Sequence, residues 1–369
     1  MIFDMLRFRF CRGAAGRQSK FRANRGEGYS HDMGSNSQRE ERVAIAIEAV
    51  LAGLGALQEI LRRPDARVPV IKADGTPVTA GDLAVQMAIG AVLERCTPGV
   101  PVVGEEGESS VAGRDGEVLL GRAVDAVKNS MGSGAPRDPE RYLGTRPQPN
   151  APAWWTVDPI DGTKGFRSAR HYALCLALVE GSRATVGVLS CPTLMIGHDP
   201  LEIGPDSQCG TVYYASVGAG AWKFAPHAGQ SRAPDDPSRV VRPATTRDAW
   251  LVCDSIEGSA RATRMRSVMD HTQLPWTSIS LDSQCKYALV AEGAADCFMR
   301  VPGATRLECV WDHAPGAVVA AEAGATVCDL NGAALHFSGA SLERNTGTLA
   351  CDASIGQRVC AAARESGVC

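Results

Sequence analysis

The 369-residue chain predicts an α/β (α+β) fold, on three observations. Its second half alternates apolar strand-like runs with helical segments, the pattern of layered sheets and helices. Ahead of that, two pairs of apolar runs meet at Gly181-Ser182 and at Gly218, as β-hairpins do. A long stretch of helical periodicity precedes both.

Composition agrees. Hydrophobic residues make up 44% and charged residues 21%, globular values. The length suffices for a substantial core. A net charge of −3 gives no basic field for a nucleic-acid polymer or an acidic membrane. No apolar run approaches the roughly 20 residues of a membrane span. Of the 13 cysteines, Cys175, Cys253, Cys297 and Cys328 sit in apolar runs, and no CxxC pair occurs. Free, buried thiols in a reduced compartment are expected.

Residues 1–36 stand apart. Arg7, Arg9, Arg12, Arg17, Lys20, Arg22 and Arg25 face only Asp4, Glu27 and Asp32. This is the composition of an organellar transit peptide. No cleavage signal stands out, which favours a disordered extension, or an upstream start with Met33 as the true first residue. The expected location is the cytoplasm, with organellar targeting by this segment as the other reading.

From Ser37 to Arg63, Val43, Ile47, Val50, Leu54, Leu57 and Leu61 recur at helical spacing, and Ser37 with Glu40 suits a capping box. Val68 to Lys72 reads as extended, and Ala73 to Pro77 as a turn. Thr79 caps a second helix to about Cys96, with Asp82 in its first turn, where an acid favours the helix dipole. Pro101 to Val103 is a strand leading to Glu105, and Val118 to Ser130 a helix. Met131 to Pro152 is a surface insertion rich in Gly, Pro and Arg. Strands follow at His171–Glu180, Arg183–Cys191, Thr211–Ser216 and Ala219–Phe224. His227 to Pro243 reads as a polar loop between an N-terminal half, residues 37–243, and a C-terminal half, residues 244–369. In the second half, strands at Trp250–Cys253, Thr277–Leu281, Asp296–Val301 and Thr326–Leu330 alternate with helices at Ser259–Met269, Ser283–Glu292 and Asp312–Ala323.

The chemistry centres on Trp154-Trp155-Thr156-Val157-Asp158-Pro159-Ile160-Asp161-Gly162-Thr163-Lys164-Gly165-Phe166. An apolar strand feeds two aspartates and then a helix start. Carboxylates are hard ligands suited to Mg²⁺, and the N–H groups of Gly162 and Thr163 suit an anion. Taken alone, Asp-Pro and Asp-Gly are ordinary turn formers. Three further stretches change that reading: Val102-Val103-Gly104-Glu105-Glu106, Val310-Trp311-Asp312-His313-Ala314-Pro315-Gly316, and Thr76-Pro77-Val78-Thr79 ahead of Asp82.

Together, in this order, these stretches resemble the inositol monophosphatase superfamily of Mg²⁺-dependent, lithium-sensitive phosphatases, most of all its 3′(2′),5′-bisphosphate nucleotidase branch. The resemblance runs from about Arg42 to about Val359. It implies a layered α/β/α/β/α sandwich and two or three Mg²⁺ ions. Glu105, Asp158 and the carbonyl of Ile160 would hold the first ion; Asp158, Asp161 and Asp312 the second. Glu105, with Glu106 beside it, would help to hold a third. Thr163 and Asp82 would orient and deprotonate the attacking water, Gly162 and Thr163 would hold the phosphate, and Asp312 would bind substrate as well as metal. Ser283, Lys286 and Arg300 match substrate-contacting positions. On the residues alone, Ser283 is equally a helix cap, and Lys286 and Arg300 solvated charges.

The implied partner is a small phosphorylated molecule, with no nucleic-acid polymer and no membrane. The preferred substrate is adenosine 3′,5′-bisphosphate, with 3′-phosphoadenylyl sulfate beside it. An inositol or other polyol phosphate is the alternative substrate, and a catalytically inactive nucleotide-binding regulator the alternative class. One departure concerns the substrate: nucleotidases tend to carry a His where this chain has Glu257-Gly258-Ser259-Ala260-Arg261. Arg261 and Arg264 are the nearby cations. His171 and His313 are expected to be structural, since hard Mg²⁺ prefers oxygen.

Overall fold

The computed structural model describes residues 36–144, 151–199, 202–205, 209–254, 260–301 and 308–368. Residues 36–369 cluster as one compact unit. The expectations for residues 1–35, and for Glu257 to Ser259, lie outside the described residues.

Three helices come first or nearly so: α1 (Asn36–Leu61), α2 (Ala80–Cys96) and α3 (Gly113–Met131). A small antiparallel pair, β1 (Val70–Ile71) and β2 (Pro77–Val78), precedes α2. Seven strands form one sheet in sequence order: β3 (Val102–Gly104), β4 (Ala153–Asp161), β5 (Ala173–Glu180), β6 (Arg183–Cys191), β7 (Thr211–Ser216), β8 (Gly220–Phe224) and β9 (Ser238–Val240). The β3–β4 pairing is parallel, and the other five are antiparallel. A five-residue helix, α4 (Thr163–Arg167), follows β4.

The second sheet contains β10 (Trp250–Asp254), β11 (Trp276–Ser280), β12 (Cys297–Arg300), β13 (Thr326–Cys328) and β14 (Thr348–Cys351), in the order β11-β10-β12-β14-β13. Its helices are α5 (Ala260–His271), α6 (Cys285–Glu292), α7 (Ala314–Glu322) and α8 (Gly356–Glu365).

Side-chain alternation makes the layers. On β5, Leu174, Leu176 and Leu178 join a core with Val50, Leu54 and Leu57 of α1 and Val85 and Ile89 of α2. The intervening Ala173, Cys175, Ala177 and Val179 face the other way, toward Ala288 and Leu289 of α6 and Ala317 and Val318 of α7. That same core includes Cys253, Phe298 and Ala350 of the second sheet. The second sheet's opposite face buries Val252, Cys297 and Leu349 against Met265 and Val268 of α5 and Val359 and Ala363 of α8. The order is therefore helices, sheet, helices, sheet, helices: the α/β/α/β/α sandwich.

The middle layer is thin because its residues are small. α7 reads Ala-Pro-Gly-Ala-Val-Val-Ala-Ala-Glu, and a Cβ on Gly187 of β6 would lie 2.4 Å from the Pro315 carbonyl oxygen. Helix and strand backbones touch there with no room for a methyl group.

Several expectations need correction. Ser37 lies inside α1, whose first described residue is Asn36, so it is not that helix's cap. The polar stretch 227–243 contains β9, which edges the large sheet. Asp312 does not open a long helix; it ends a 3₁₀ turn, Val310–Asp312, and α7 starts at Ala314 with Pro315 in its first turn. β14 and α8 were not anticipated. α1 does contain an 18-residue window of mean hydropathy 1.7, long and apolar enough for a membrane span, but 56% of that window is buried in the protein. Its apolar face is occupied by α2 and the large sheet.

Gly187→Ala should destabilise the fold by about 1–3 kcal/mol through overpacking. Gly121→Ala on α3, where nothing lies within 4 Å, should stabilise by a few tenths to about 1 kcal/mol. Urea unfolding midpoints of the two variants check this contrast.

Candidate active site

The site forms where β3 and β4 end. The parallel pairing sets Gly104 beside Val157, and the Glu105 N–H donates to the Val157 carbonyl at 3.1 Å. Glu105 and Asp158 thus emerge side by side, close enough for the Glu105 carboxyl to oppose ionisation of Asp158. The β4–β5 register shifts between Asp158 and Asp161. Such an irregularity redirects side chains, and here Asp158 and Asp161 converge. A carboxylate oxygen from each, with one from Asp312, lies within 4.8 Å of the others.

Gly162 then turns the chain with φ +88°, and a Cβ there would stand 2.9 Å from that of Ser283. This left-handed conformation with no room for a side chain requires glycine. Thr163 begins α4, and its hydroxyl donates to the Ile160 carbonyl at 3.2 Å. The helix has only five residues, so anion contacts there would rest on individual N–H groups rather than on a macrodipole.

Asp82 approaches from α2 and is fully buried. Thr79 caps that helix as expected, and Asp82 completes the capping box: its Oδ2 accepts from the Thr79 N–H at 2.8 Å and hydroxyl at 2.6 Å. The other oxygen, Oδ1, is buried with no partner among the described residues. The expected Asp82–Thr163 dyad is therefore not closed by a direct hydrogen bond here; each residue is bonded to a nearer backbone or hydroxyl group. Asp82 is nevertheless beside the turn, since a Cβ on Gly81 would meet the Ile160 side chain at 3.0 Å.

Crowded acids that are buried, as Asp82 and Asp158 are, or half-buried, as Glu105 and Asp161 are, resist ionising. Burial, then the neighbouring Glu106 charge, raises Asp82 to about 7. Burial and the charges of Glu106 and Asp312 raise Glu105 to about 8. Asp161 rises to about 7 by burial and the Asp312 charge. Asp158 is pushed well above its ordinary range by burial and by Glu105, Asp161 and Asp312. Two like charges about 4 Å apart repel by roughly 4 kcal/mol at an effective dielectric of about 20. The residues fit Mg²⁺: every donor is an oxygen, and Asp158 Oδ1, like Asp82 Oδ1, is buried with no partner among the described residues.

Three supports escaped the sequence reading. Lys72 holds Glu106 with its ammonium 3.0 and 3.2 Å from the two carboxylate oxygens, so Glu106 serves Lys72 rather than the open cluster. Gln284 donates its backbone N–H to Asp161. Gln86 bonds both backbone groups of Glu106. The signals were Gln86 four residues after Asp82, and Gln284 inside the Ser283–Lys286 stretch.

Ser283, Lys286 and Arg300 lie on the second-sheet side. Ser283 has φ +70°, rare for a residue with a side chain, and its hydroxyl accepts from the Cys285 N–H at 3.2 Å. Lys286 and Arg300 are not solvated charges. They line a cleft with Cys253, Asp254, Met265 and Phe298. The Lys286 ammonium lies 5.2 Å from the centre of the Phe298 ring. No hydrogen-bond acceptor among the described residues reaches it. Burial lowers its pKa. Arg300 donates to Glu308 at 2.9 Å. Both cations are near enough to Asp161 to oppose its upward shift, so cleft and acid cluster adjoin. Arg264 Nε is buried and unpartnered among the described residues. As expected, the histidines are structural: His313 meets Tyr287 at 2.9 Å and Thr348 at 3.2 Å, and His171 meets Thr193 at 3.0 Å.

The inositol monophosphatase family profile matches residues 38–367. The chain belongs to this family. Among family relatives it is 31% identical over 324 residues to the 3′(2′),5′-bisphosphate nucleotidase of Emericella nidulans, covering 81% of this chain and 91% of that one. It is 28% identical over 309 residues to the Dictyostelium discoideum protein of the same name, covering 82% and 90%. A solved family member, CysQ from Bacteroides thetaiotaomicron, shares the fold with a TM-score of 0.57 at 22% identity, covering 86% of this chain and 98% of that one. The inositol monophosphatase of Anabaena also aligns with a TM-score of 0.57, at 18% identity, covering 90% and 97%.

The raised acids predict the pH dependence of stability in the metal-free family member. Unfolded carboxyl groups titrate near about 4, whereas Asp82, Asp161 and Glu105 in the fold titrate at about 7, 7 and 8. Between those limits the folded chain holds protons that the unfolded chain releases, so stability falls as pH rises through this window. Melting in EDTA should therefore occur at lower temperature at pH 8 than at pH 5, and Mg²⁺ should raise the melting temperature more at pH 8. A melting temperature indifferent to both would contradict the charge assignment.

Proposed function

We propose that this protein is a Mg²⁺-dependent phosphomonoesterase that removes the 3′-phosphate of a nucleoside 3′,5′-bisphosphate. Adenosine 3′,5′-bisphosphate is the preferred substrate, giving AMP and phosphate, and 3′-phosphoadenylyl sulfate is a second candidate. The observation that carries this reading is the junction of two opposite environments. A converging acid cluster adjoins a cleft containing a buried lysine and a half-buried arginine. Substrates with two phosphates need both.

Asp158, Asp161, Asp312, Glu105 and the Ile160 carbonyl would hold the metal ions. Bound Mg²⁺ supplies charge neutralisation at the phosphate and acidity to the attacking water. The protein's own part is chiefly positioning. Asp82 Oδ1 is the available proton acceptor, and a carboxyl group held at about 7 suits general-base work near neutrality. Thr163 can pass the proton once its hydroxyl turns from Ile160 toward Asp82. The N–H groups of Gly162 and Thr163 hold the scissile phosphate. Ser283 and the cations Lys286 and Arg300 take the phosphate that is not cleaved. Its binding energy orients the reacting one.

The absence of His from Glu257 to Arg261 favours a second reading, a polyol-phosphate phosphatase such as one acting on inositol 1-phosphate. A catalytically inactive regulator is opposed by the full set Asp82, Glu105, Asp158, Asp161, Thr163 and Asp312.

Phosphate release from both substrates, with and without Mg²⁺, separates these readings. Asp161→Asn should nearly abolish turnover of either. Lys286→Ala should lower kcat/KM for the bisphosphate by about 1–3 kcal/mol, the size of a charged hydrogen bond, and barely affect inositol 1-phosphate. Arg300→Ala is a less clean test, because it also leaves the buried Glu308 without its guanidinium partner. Equal losses on both substrates, or a wild-type preference for inositol 1-phosphate, would move the assignment to the polyol phosphatase.

A further inference from the structure

We propose that two buried glutamines, Gln86 and Gln284, are positioning residues that set the spacing of the Mg²⁺ ligands. The inference rests on reading the acid cluster as the metal site.

Two of the ligand residues sit at the ends of short elements, each held there by a single backbone N–H bond, from Glu105 to Val157 and from Asp312 to Cys309. Glu105 is the first residue beyond β3, and Asp312 lies in a three-residue 3₁₀ turn. In each case a glutamine amide pins the backbone of flanking residues. Gln86 donates from Nε2 to the Glu106 carbonyl at 2.7 Å and accepts from the Glu106 N–H at 3.0 Å, closing a two-bond ring on the residue after Glu105. Its Nε2 also reaches the Tyr142 carbonyl at 3.2 Å. Gln284 donates to the Trp311 carbonyl at 2.8 Å and accepts from the Gly316 N–H at 3.0 Å, bracketing Asp312. Its own backbone N–H holds Asp161.

Both side chains are almost fully buried, at 1% and 2% exposure, so water cannot substitute for these bonds. Each amide nitrogen faces carbonyl groups and each amide oxygen faces an N–H, which fixes its orientation. The packing is built around them: a Cβ on Gly104 would lie 2.3 Å from Gln86 Oε1. Gln86 and Asp82 are four residues apart on α2 and share a helix face, so one helix carries both the proposed base and the strut for Glu105. Outer partners of this kind typically change metal affinity by about 10–100-fold when lost.

The test is calorimetric titration of Mg²⁺ into the metal-free full chain without substrate, for wild type, Gln86→Met, Gln284→Met, Gln86→Glu, Gln284→Glu and Gln58→Met. Gln58 bonds Cys209 Sγ and touches none of these residues. The Met variants should weaken Mg²⁺ binding at least about tenfold. The Glu variants keep the acceptor but, when ionised, set a carboxylate oxygen against the carbonyl that the amide bonded, so they should weaken Mg²⁺ binding as well. Gln58→Met should bind as wild type does. Lost activity should return as Mg²⁺ is raised, measured at a temperature where circular dichroism shows each variant folded without metal, so that stabilisation of the fold by Mg²⁺ does not account for the rescue. Wild-type Mg²⁺ affinity in folded Met variants, or activity losses equal at every Mg²⁺ concentration, would overturn the proposal. If a Met variant does not fold, the matching Glu variant decides by the same criterion. A wild type that binds no Mg²⁺ would instead overturn the metal-site reading itself.

Discussion

Mutual repulsion among buried and half-buried carboxylates is the constraint on which the rest of this structure depends. Asp158, Asp161 and Asp312 bring oxygens within 4.8 Å of one another, Glu105 lies close to Asp158, and Asp82 is buried beside them. Only part of this charge is answered from within the chain. Thr79 covers one Asp82 oxygen, the Gln284 N–H covers Asp161, and Lys72 is taken by Glu106. Asp158 Oδ1 and Asp82 Oδ1 have nothing among the described residues. Burying unpaired charge costs several kcal/mol per group. A fold that keeps this arrangement is poised for cations.

The layered architecture makes the convergence possible. Asp158 and Asp161 come from the end of β4, whose side chains are locked between the α1–α2 layer and the α6–α7 layer. Asp312 comes from the turn that enters α7, and α7 lies directly on β5 and β6 through small residues such as Ala177 and Gly187. Thinness in the middle layer thus brings acids from distant parts of the sequence to one point. The same packing puts α6 at the boundary, so Gln284 faces the acids while Lys286, two residues on, faces the cleft. One short element serves both environments.

Much of this was legible in the sequence because the signals were local. Thr79 capping α2, the hairpins at Gly181 and Gly218, and the Asp158–Phe166 motif each depend on a few adjacent residues. Where the reading fell short, contacts between distant segments decided. Asp312 was read as a helix start, but Pro315 and its packing against β6 set α7 two residues later. Lys286 and Arg300 looked as plausible on a solvated face, and only the closing of β10, α6 and β12 around them makes them cleft residues. The supports Lys72, Gln86 and Gln284 carry no motif. Their roles follow from partners 34, 20 and 27 residues away in the chain, which no local pattern encodes.

The most direct test of the account is anomalous diffraction from crystals soaked in Mn²⁺, which occupies oxygen-rich Mg²⁺ sites and scatters strongly. The predicted result is a peak bounded by Asp158, Asp161 and Asp312, with a second between Glu105, Asp158 and the Ile160 carbonyl. Enzyme that is active in Mn²⁺, yet shows no anomalous density at these carboxylates at saturating metal, would contradict it.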